Sequence, residues 1–254
     1  MLEGDYLEAQ KLSECIAAEM EPPRFYVDKK DEVETSRVTF ETHPMVQACL
    51  DIVKERADRF GHGISHVRKV AVDAGALVII EMDEGRPEEE RSRMLLLSHI
   101  AGVLHDIKRL EPDHAQRGAD EAGLILGDFD LEEREREAIV QAIRNHEAFK
   151  PAEPLQDPSM QLLSDALYDA DKFRWGPDNF TETVWMMVAP TQVPLALLME
   201  HFAPSMKGIE KITSTFRTPT GREYGPDFVA KGLEIGEKLC RELAETREAE
   251  EEGA

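Results

Sequence analysis

The sequence predicts an all-α fold, and three observations carry that expectation. Apolar residues recur at helical spacing along nearly the whole chain, as in Ile64, Val67, Val70, Ala71, Ala74, Leu77 and Val78. Glycine and proline break those stripes at intervals, as at Gly85 and Pro87. Only one run, RVTFET, leans toward a strand.

Residues 5–20 carry Leu7, Leu12, Cys15 and Ile16 and read as a short helix. Residues 21–44 hold Pro22, Pro23 and RVTFET, and read as a loop or a short strand pair. From Pro44 to Phe60 the apolar positions Val46, Cys49, Leu50 and Val53 indicate a helix, and the stripe from Ile64 indicates the next. A further helix runs from about Glu90 to Lys108 on the stripe Leu96, Ile100, Val103, Leu104 and Ile107. Glu111-Pro112-Asp113 makes a turn. The helix from His114 to Leu126 follows, with small residues Gly118, Ala119, Ala122 and Gly123 for close packing. Asp130 and Glu133 have capping-box spacing and open a helix that ends near His146. Prolines 151, 154 and 158 mark a loop, and Asp157-Pro158 reads as N-cap and first residue of a helix to about Phe173. Helical segments follow around 179–188 and 193–215. A last helix runs from about Pro226 to Glu248 and ends in the charge run REAEEEGA.

The chain has 254 residues and a formal charge of -22. It is long enough to bury a sizeable core. Its acidity disfavours binding to a nucleic-acid polymer or to anionic lipid, but a bound cation reverses the sign locally. Cys15, Cys49 and Cys240 show no CxxC spacing and read as free thiols. The N-terminus has no basic and apolar leader, and the most apolar run, AGALVII, is too short to span a bilayer. The cytoplasm is the expected location.

The chemistry lies in an ordered series of His and Asp residues on predicted helices. His66 falls on an apolar stripe between Ile64 and Val70. The doublet His105-Asp106 ends the apolar run SHIAGVLHD. His114 follows in DHAQRGAD. His146 shares a helix face with Ile139 and Ile143 and so points inward. Asp171 follows Leu167 by four residues, and Asp165 and Asp169 are rival carboxylates that spacing does not separate. Polar and charged groups on core faces are expensive unless something compensates. A divalent cation compensates, and imidazole with carboxylate suits Mn, Fe, Co, Ni or Zn better than Ca. No cysteine takes part, which argues against a structural thiolate zinc site. His66, His105, Asp106 and Asp171 suffice for one ion. His114 and His146 would supply a second ion bridged by Asp106.

This series resembles the HD-domain superfamily of metal-dependent phosphohydrolases. The resemblance rests on His66 in HVRKV, on His105-Asp106, on DHAQRGADEAGLIL, on AIVQAIRNHE and on Asp171 in DADKF. It covers roughly residues 45–175, with 1–44 and 176–254 as helical extensions. It implies an HD-like helical bundle around one or two divalent transition-metal ions. The implied ligands are His66, His105, Asp106 and Asp171, with His114 and His146 binding a second metal or the substrate phosphate. It also implies hydrolysis of a phosphate ester or anhydride, of a nucleotide or related small molecule, by attack of a metal-bound hydroxide. Asp106 is the candidate proton acceptor, and Lys108 and Arg109 are candidate phosphate contacts. The plainer reading of Lys108 and Arg109 is a basic helix end that complements the dipole. The doublet continues as Ile107-Lys108-Arg109, unlike the HDIGK of the cyclic-dinucleotide branch and unlike the acidic residues of the guanosine-tetraphosphate branch. The same residue set also resembles the di-iron oxygenase branch, and it fits a binding sensor or a structural metal site as well.

Other residues carry weaker signals. His62 lies one turn before His66, and His99 lies seven residues before Asp106. Either can support the site, but a helix-start residue and a core histidine are the simpler readings. His43 and His201 lack context. Arg68 and Lys69 can reach a phosphate or merely face solvent. Trp175 and Phe180 can line a base pocket or pack in the core.

Overall fold

The computed structural model describes residues 4–56, 62–188 and 193–253, without the side chains of His62, Ala196, Ala203 and 246–253. The described residues are all-α, with no strand. The helices are α1 Asp5–Ala18, α2 Arg24–Asp28, α3 Lys30–Thr42, α4 Pro44–Arg56, α5 His62–Glu81, α6 Glu88–Leu104, α7 His114–Leu126, α8 Glu133–Arg144, α9 Pro158–Phe173, α10 Val184–Val188, α11 Leu195–Glu210 and α12 Pro219–Gly253. A π-helical turn, Asn179–Thr183, precedes α10, and a 3-10 turn, Lys211–Ser214, follows α11. No helix among the described residues is long and apolar enough to cross a membrane.

The chain forms two compact units. One comprises residues 25–172 and 215–223, and it holds α3 to α8 and nearly all of α9. The other comprises residues 1–24, 173–214 and 224–254. Its core is aromatic. Phe173 stacks on Phe228 at 4.2 Å, Phe180 meets Phe202 edge-on, and the buried Trp185 donates its indole N–H to the Phe180 carbonyl at 2.6 Å. Phe180 is therefore a packing residue of that core.

In the first unit, α5 and α6 cross at very short range. A Cβ on Gly102 of α6 would lie 2.4 Å from the Ala71 Cα of α5, so only glycine fits there. One turn further along α5, a Cβ on Gly75 would meet Ser36 Oγ at 2.3 Å and His99 Nε2 at 2.5 Å. This crossing draws the ends of the two helices together, and the site lies there.

Several elements differ from the sequence expectation. Residues 21–44 form two helices, not a loop or strand pair. Within RVTFET, Phe40 is buried. Ser36, just before it, donates its hydroxyl to the Val72 carbonyl of α5 and contacts His99 Nε2 at 2.9 Å. Packing of α3 on α5 thus overrides the local strand preference. The helix expected to reach Lys108 ends at Leu104, because His105 Nδ1 takes the Gly102 carbonyl at 2.7 Å in place of a continuing backbone bond. The capping box sits two residues later than expected, at Glu132 and Glu135. Arg93 holds the buried Glu135 carboxylate at 2.6 and 2.7 Å and fixes that register. The final helix starts at Pro219, not Pro226, because the Thr218 hydroxyl caps it by accepting the Gly221 N–H at 2.8 Å. Asp157 caps α9 as expected, accepting from the Ser159 N–H at 2.8 Å.

His99 is a core histidine. It is fully buried, faces the Phe40 ring edge-on at 5.7 Å, and touches Ser36. Burial, with a smaller contribution from His43, pushes its pKa down from 6.5 to about 3.

Two outcomes follow from this packing. Gly102→Ala destabilises the protein by about 1–3 kcal/mol, read as a lower denaturant midpoint, although alanine is the better helix former by about 1 kcal/mol. An alanine variant as stable as the wild type would contradict the close crossing. For His99, the folded state takes up its proton only near pH 3 and the unfolded state near 6.5. Its stabilising contribution is complete above pH 6.5 and erodes as pH falls toward 3. From pH 6.5 to 5.5 the wild type loses about 1 kcal/mol relative to His99→Gln, measured by paired urea melts. Parallel pH profiles for the two proteins would rule this out.

Candidate metal centre

The site collects helix ends. His66 comes from the first turns of α5, His105 caps the C-terminus of α6, and Asp106 lies in the turn that follows. His114 is the first residue of α7, placed there by Asp113 in the left-handed region at φ 52. His146 follows the C-terminus of α8, and Asp171 lies near the end of α9.

His66, His105, Asp106 and Asp171 converge. His66 Nε2 lies 3.1 Å from His105 Nε2, 3.5 Å from Asp106 Oδ2 and 3.4 Å from Asp171 Oδ1. His105 Nε2 lies 3.6 Å from Asp106 Oδ2 and 3.7 Å from Asp171 Oδ1. Donors bound to one transition-metal ion at about 2.1 Å are separated from one another by about 3–3.4 Å. The spacing of His66, His105 and Asp171 is that of a coordination shell opened by a few tenths of an ångström, and Asp106 Oδ2 lies within 3.6 Å of both imidazoles.

A second group of donors faces the other oxygen of Asp106. His146 Nε2 lies 3.5 Å and His114 Nε2 3.8 Å from Asp106 Oδ1. The rings of His105 and His146 meet edge-on at 5.1 Å. Asp106 Oδ1 and His146 Nε2 are buried without a hydrogen bond to any described residue.

The main chain fixes the ring orientations. His105 Nδ1 lies 2.7 Å from the Gly102 carbonyl, and His146 Nδ1 lies 2.5 Å from the Ile143 carbonyl. A carbonyl only accepts, so each Nδ1 carries a proton and each ring turns its Nε2 to the cluster. Both carbonyls belong to last helical turns, where carbonyls lack intrahelical partners. Those C-terminal ends also turn negative dipole charge toward the cluster.

The electrostatics are those of a cation site. Burial opposes ionisation of Asp106, yet His105, His146 and Arg109 hold its carboxyl well below the usual range. Burial likewise opposes ionisation of Asp171, which Lys172, His105 and His66 hold well below it. Burial disfavours a charged His105, but Asp106 and Asp171 lift its pKa above the ordinary value. Burial lowers His114. Buried His and Asp groups of this kind could hold a metal ion. The orphaned Asp106 Oδ1 and His146 Nε2, together with an all-nitrogen and oxygen donor set, fit a transition-metal cation rather than a structural thiolate zinc.

The three rival carboxylates separate by helical phase. Asp171 joins the cluster. Asp169, two residues earlier, faces away and accepts from the Arg217 and Thr218 backbone N–H groups at 2.8 and 2.7 Å. Asp165, one turn before Asp169, shares that side, 3.9 Å from Arg217 Nη1. Arg109 reaches the cluster, with Nη1 3.7 Å from Asp106 Oδ1. Lys108 does not, because its ammonium pairs with Glu111 at 3.2 Å and Glu121 at 3.7 Å. Arg68 turns to Glu41 at 2.7 Å, and His43 Nδ1 accepts the Met45 N–H. The His62 side chain lies outside the described residues.

Sequence reasoning missed Lys172. This buried ammonium lies 2.5 Å from Asp171 Oδ2 and 5.0 Å from the Tyr168 ring centroid. It holds one oxygen of Asp171, which leaves Oδ1 for the cluster. The available signal was a cation inside DADKF on a helix whose neighbouring positions are apolar.

No known protein-family model, no curated protein and no solved structure matches the chain.

A metal in this cluster stabilises the fold by mass action, by about 2.7 kcal/mol at a hundredfold excess over Kd. Manganese or cobalt added to metal-stripped protein therefore raises the melting temperature of the wild type and not of Asp171→Ala. Lys172→Met weakens metal affinity by about 10–100-fold, measured by competition with a fluorescent chelator. A wild-type melt indifferent to every divalent metal would remove the centre.

Proposed function

We propose that the protein is a metal-dependent phosphohydrolase acting on a phosphate ester or anhydride of a small molecule such as a nucleotide, and that it belongs to the HD-type group its motifs resemble. One observation carries this reading: the donor atoms of His66, His105 and Asp171 meet, with Asp106 Oδ2 beside both imidazoles and unpartnered polar atoms next to them. A divalent cation held there lowers the pKa of water and offsets charge on phosphoryl oxygens.

The side chains around that point supply the rest. Arg109 is half exposed, and its guanidinium stands at the mouth of the cluster, where it can bind a phosphoryl oxygen. Lys108 is committed to glutamates and is dropped from the phosphate-binding set. Asp106 is held strongly acidic and makes a poor proton acceptor. His146 is better suited. With an Nδ1 proton on the Ile143 carbonyl, the neutral ring turns its Nε2 to the cluster, where it would take the proton of the attacking water.

A cleft of about 440 Å³ opens against residues that flank His114 and His146 in the chain, among them Asp113, Ala115, Asn145 and Glu147. Its volume suits the non-phosphate part of a small substrate. The amides of Gln116 and Gln141 and the cation of Arg144 line it.

Metal-stripped protein reloaded with manganese or cobalt should release phosphate from members of a nucleotide and phosphoester panel, with metal content measured in parallel. Asp106→Ala should lose both bound metal and turnover. His146→Ala should lower kcat by about 10²–10⁴-fold and still hold metal at the His66 side. No phosphate release from any substrate by metal-loaded wild type would refute the hydrolase. Oxygen consumption with ferrous iron would redirect the reading to a di-iron oxygenase.

A further inference from the structure

We propose that the Arg109 guanidinium occupies the place of a second cation, so that this centre holds a single ion. The inference rests on the metal-centre reading above.

Asp106 divides its two oxygens between two environments. Oδ2 faces His66 Nε2 and His105 Nε2 at 3.5 and 3.6 Å. Oδ1 faces His146 Nε2 and His114 Nε2 at 3.5 and 3.8 Å. An ion on the second side would take those three donors, because His105 Nε2, which also lies near Asp106 and His146, is engaged with His66 and Asp171 on the first side. Arg109 reaches two of them, with Nη1 3.7 Å from Asp106 Oδ1 and 3.4 Å from His114 Nε2. An arginine N–H only donates, so the contact engages the His114 lone pair that a metal would use. Guanidinium stays charged at any working pH, so it repels a second cation under all ordinary conditions. Among the described residues no cation stands between the donors of the first side, and Lys172 faces the opposite oxygen of Asp171.

Arg109 is placed there by the turn itself. Its backbone N–H donates to the Asp106 carbonyl at 2.9 Å, which returns its side chain over the Asp106 carboxylate. The side chain is 54% exposed, so its loss leaves no hole in the core. Without it, Asp106 Oδ1, His114 Nε2 and His146 Nε2 form a vacant set of one oxygen and two nitrogens, a donor set suited to manganese or iron.

The test is metal counting on the full chain with manganese. Wild type should bind about one equivalent and Arg109→Gln about two, by elemental analysis after gel filtration. Paramagnetic resonance should show an isolated ion in wild type and a coupled pair in Arg109→Gln. The double variant Arg109→Gln/His146→Ala should return to about one equivalent. Circular dichroism melts confirm that each variant is folded. Two ions in wild type, one in Arg109→Gln, or two in the double variant each overturn the proposal while leaving the metal centre standing. No ion in wild type overturns the metal centre and this proposal together.

Discussion

Asp106 and Asp171 remain ionised although both are largely shielded from water, and buried anions are tolerated only where positive charge meets them. Every group near them answers to that requirement. His66 and His105 bring imidazoles to one side, Lys172 brings an ammonium to the back of Asp171, and Arg109 brings a guanidinium to the front of Asp106. These groups come from distant parts of the chain, and each reaches the cluster from a helix end or the turn beside it. The α5–α6 crossing at Ala71 and Gly102 makes this possible, since it sets His66 and His105 within 3.1 Å of each other. A bulkier residue at the crossing would spread the helix ends and separate the donors.

The arrangement suggests a division of labour within the centre. The His66 side offers donors only and is the natural seat of a cation. Under the proposed hydrolase reading, the His146 side would offer a ring nitrogen and the half-exposed Arg109 guanidinium to a water and a phosphoryl group. Asp106 joins the two sides through its separate oxygens.

Much of this was legible in the sequence, for reasons that differ by element. The stripes of α5 and α6 and the start of α7 were readable because burial on one helix face forces a strict period. The inward direction of His146 was readable from Ile139 and Ile143 for the same reason. RVTFET misled because β-branched residues report a local preference, while Phe40 and the neighbouring Ser36 answer to α5. The choice among Asp165, Asp169 and Asp171 was unreadable by periodicity. It depends on residues 215–223, which return to the first unit and claim Asp169 through the Arg217 and Thr218 amides. No pattern near Asp169 announces a partner almost fifty positions downstream. Lys108 and Arg109 looked equivalent in the chain, and they are separated by the local pairing of Lys108 with Glu111 and by the tertiary position of Glu121.

The two histidines clamped by Gly102 and Ile143 have their tautomers set by peptide carbonyls, not by side chains. A carboxylate clamp is erased by one codon change; a peptide carbonyl persists through every substitution at its position. The lone pairs at the heart of the centre are therefore buffered against mutational drift in the shell around them. Variation can accumulate at Gln116, Gln141 and Arg144 without unsettling the inner rings. A lineage built on this architecture is free to change what it recognises while keeping how its inner atoms are held.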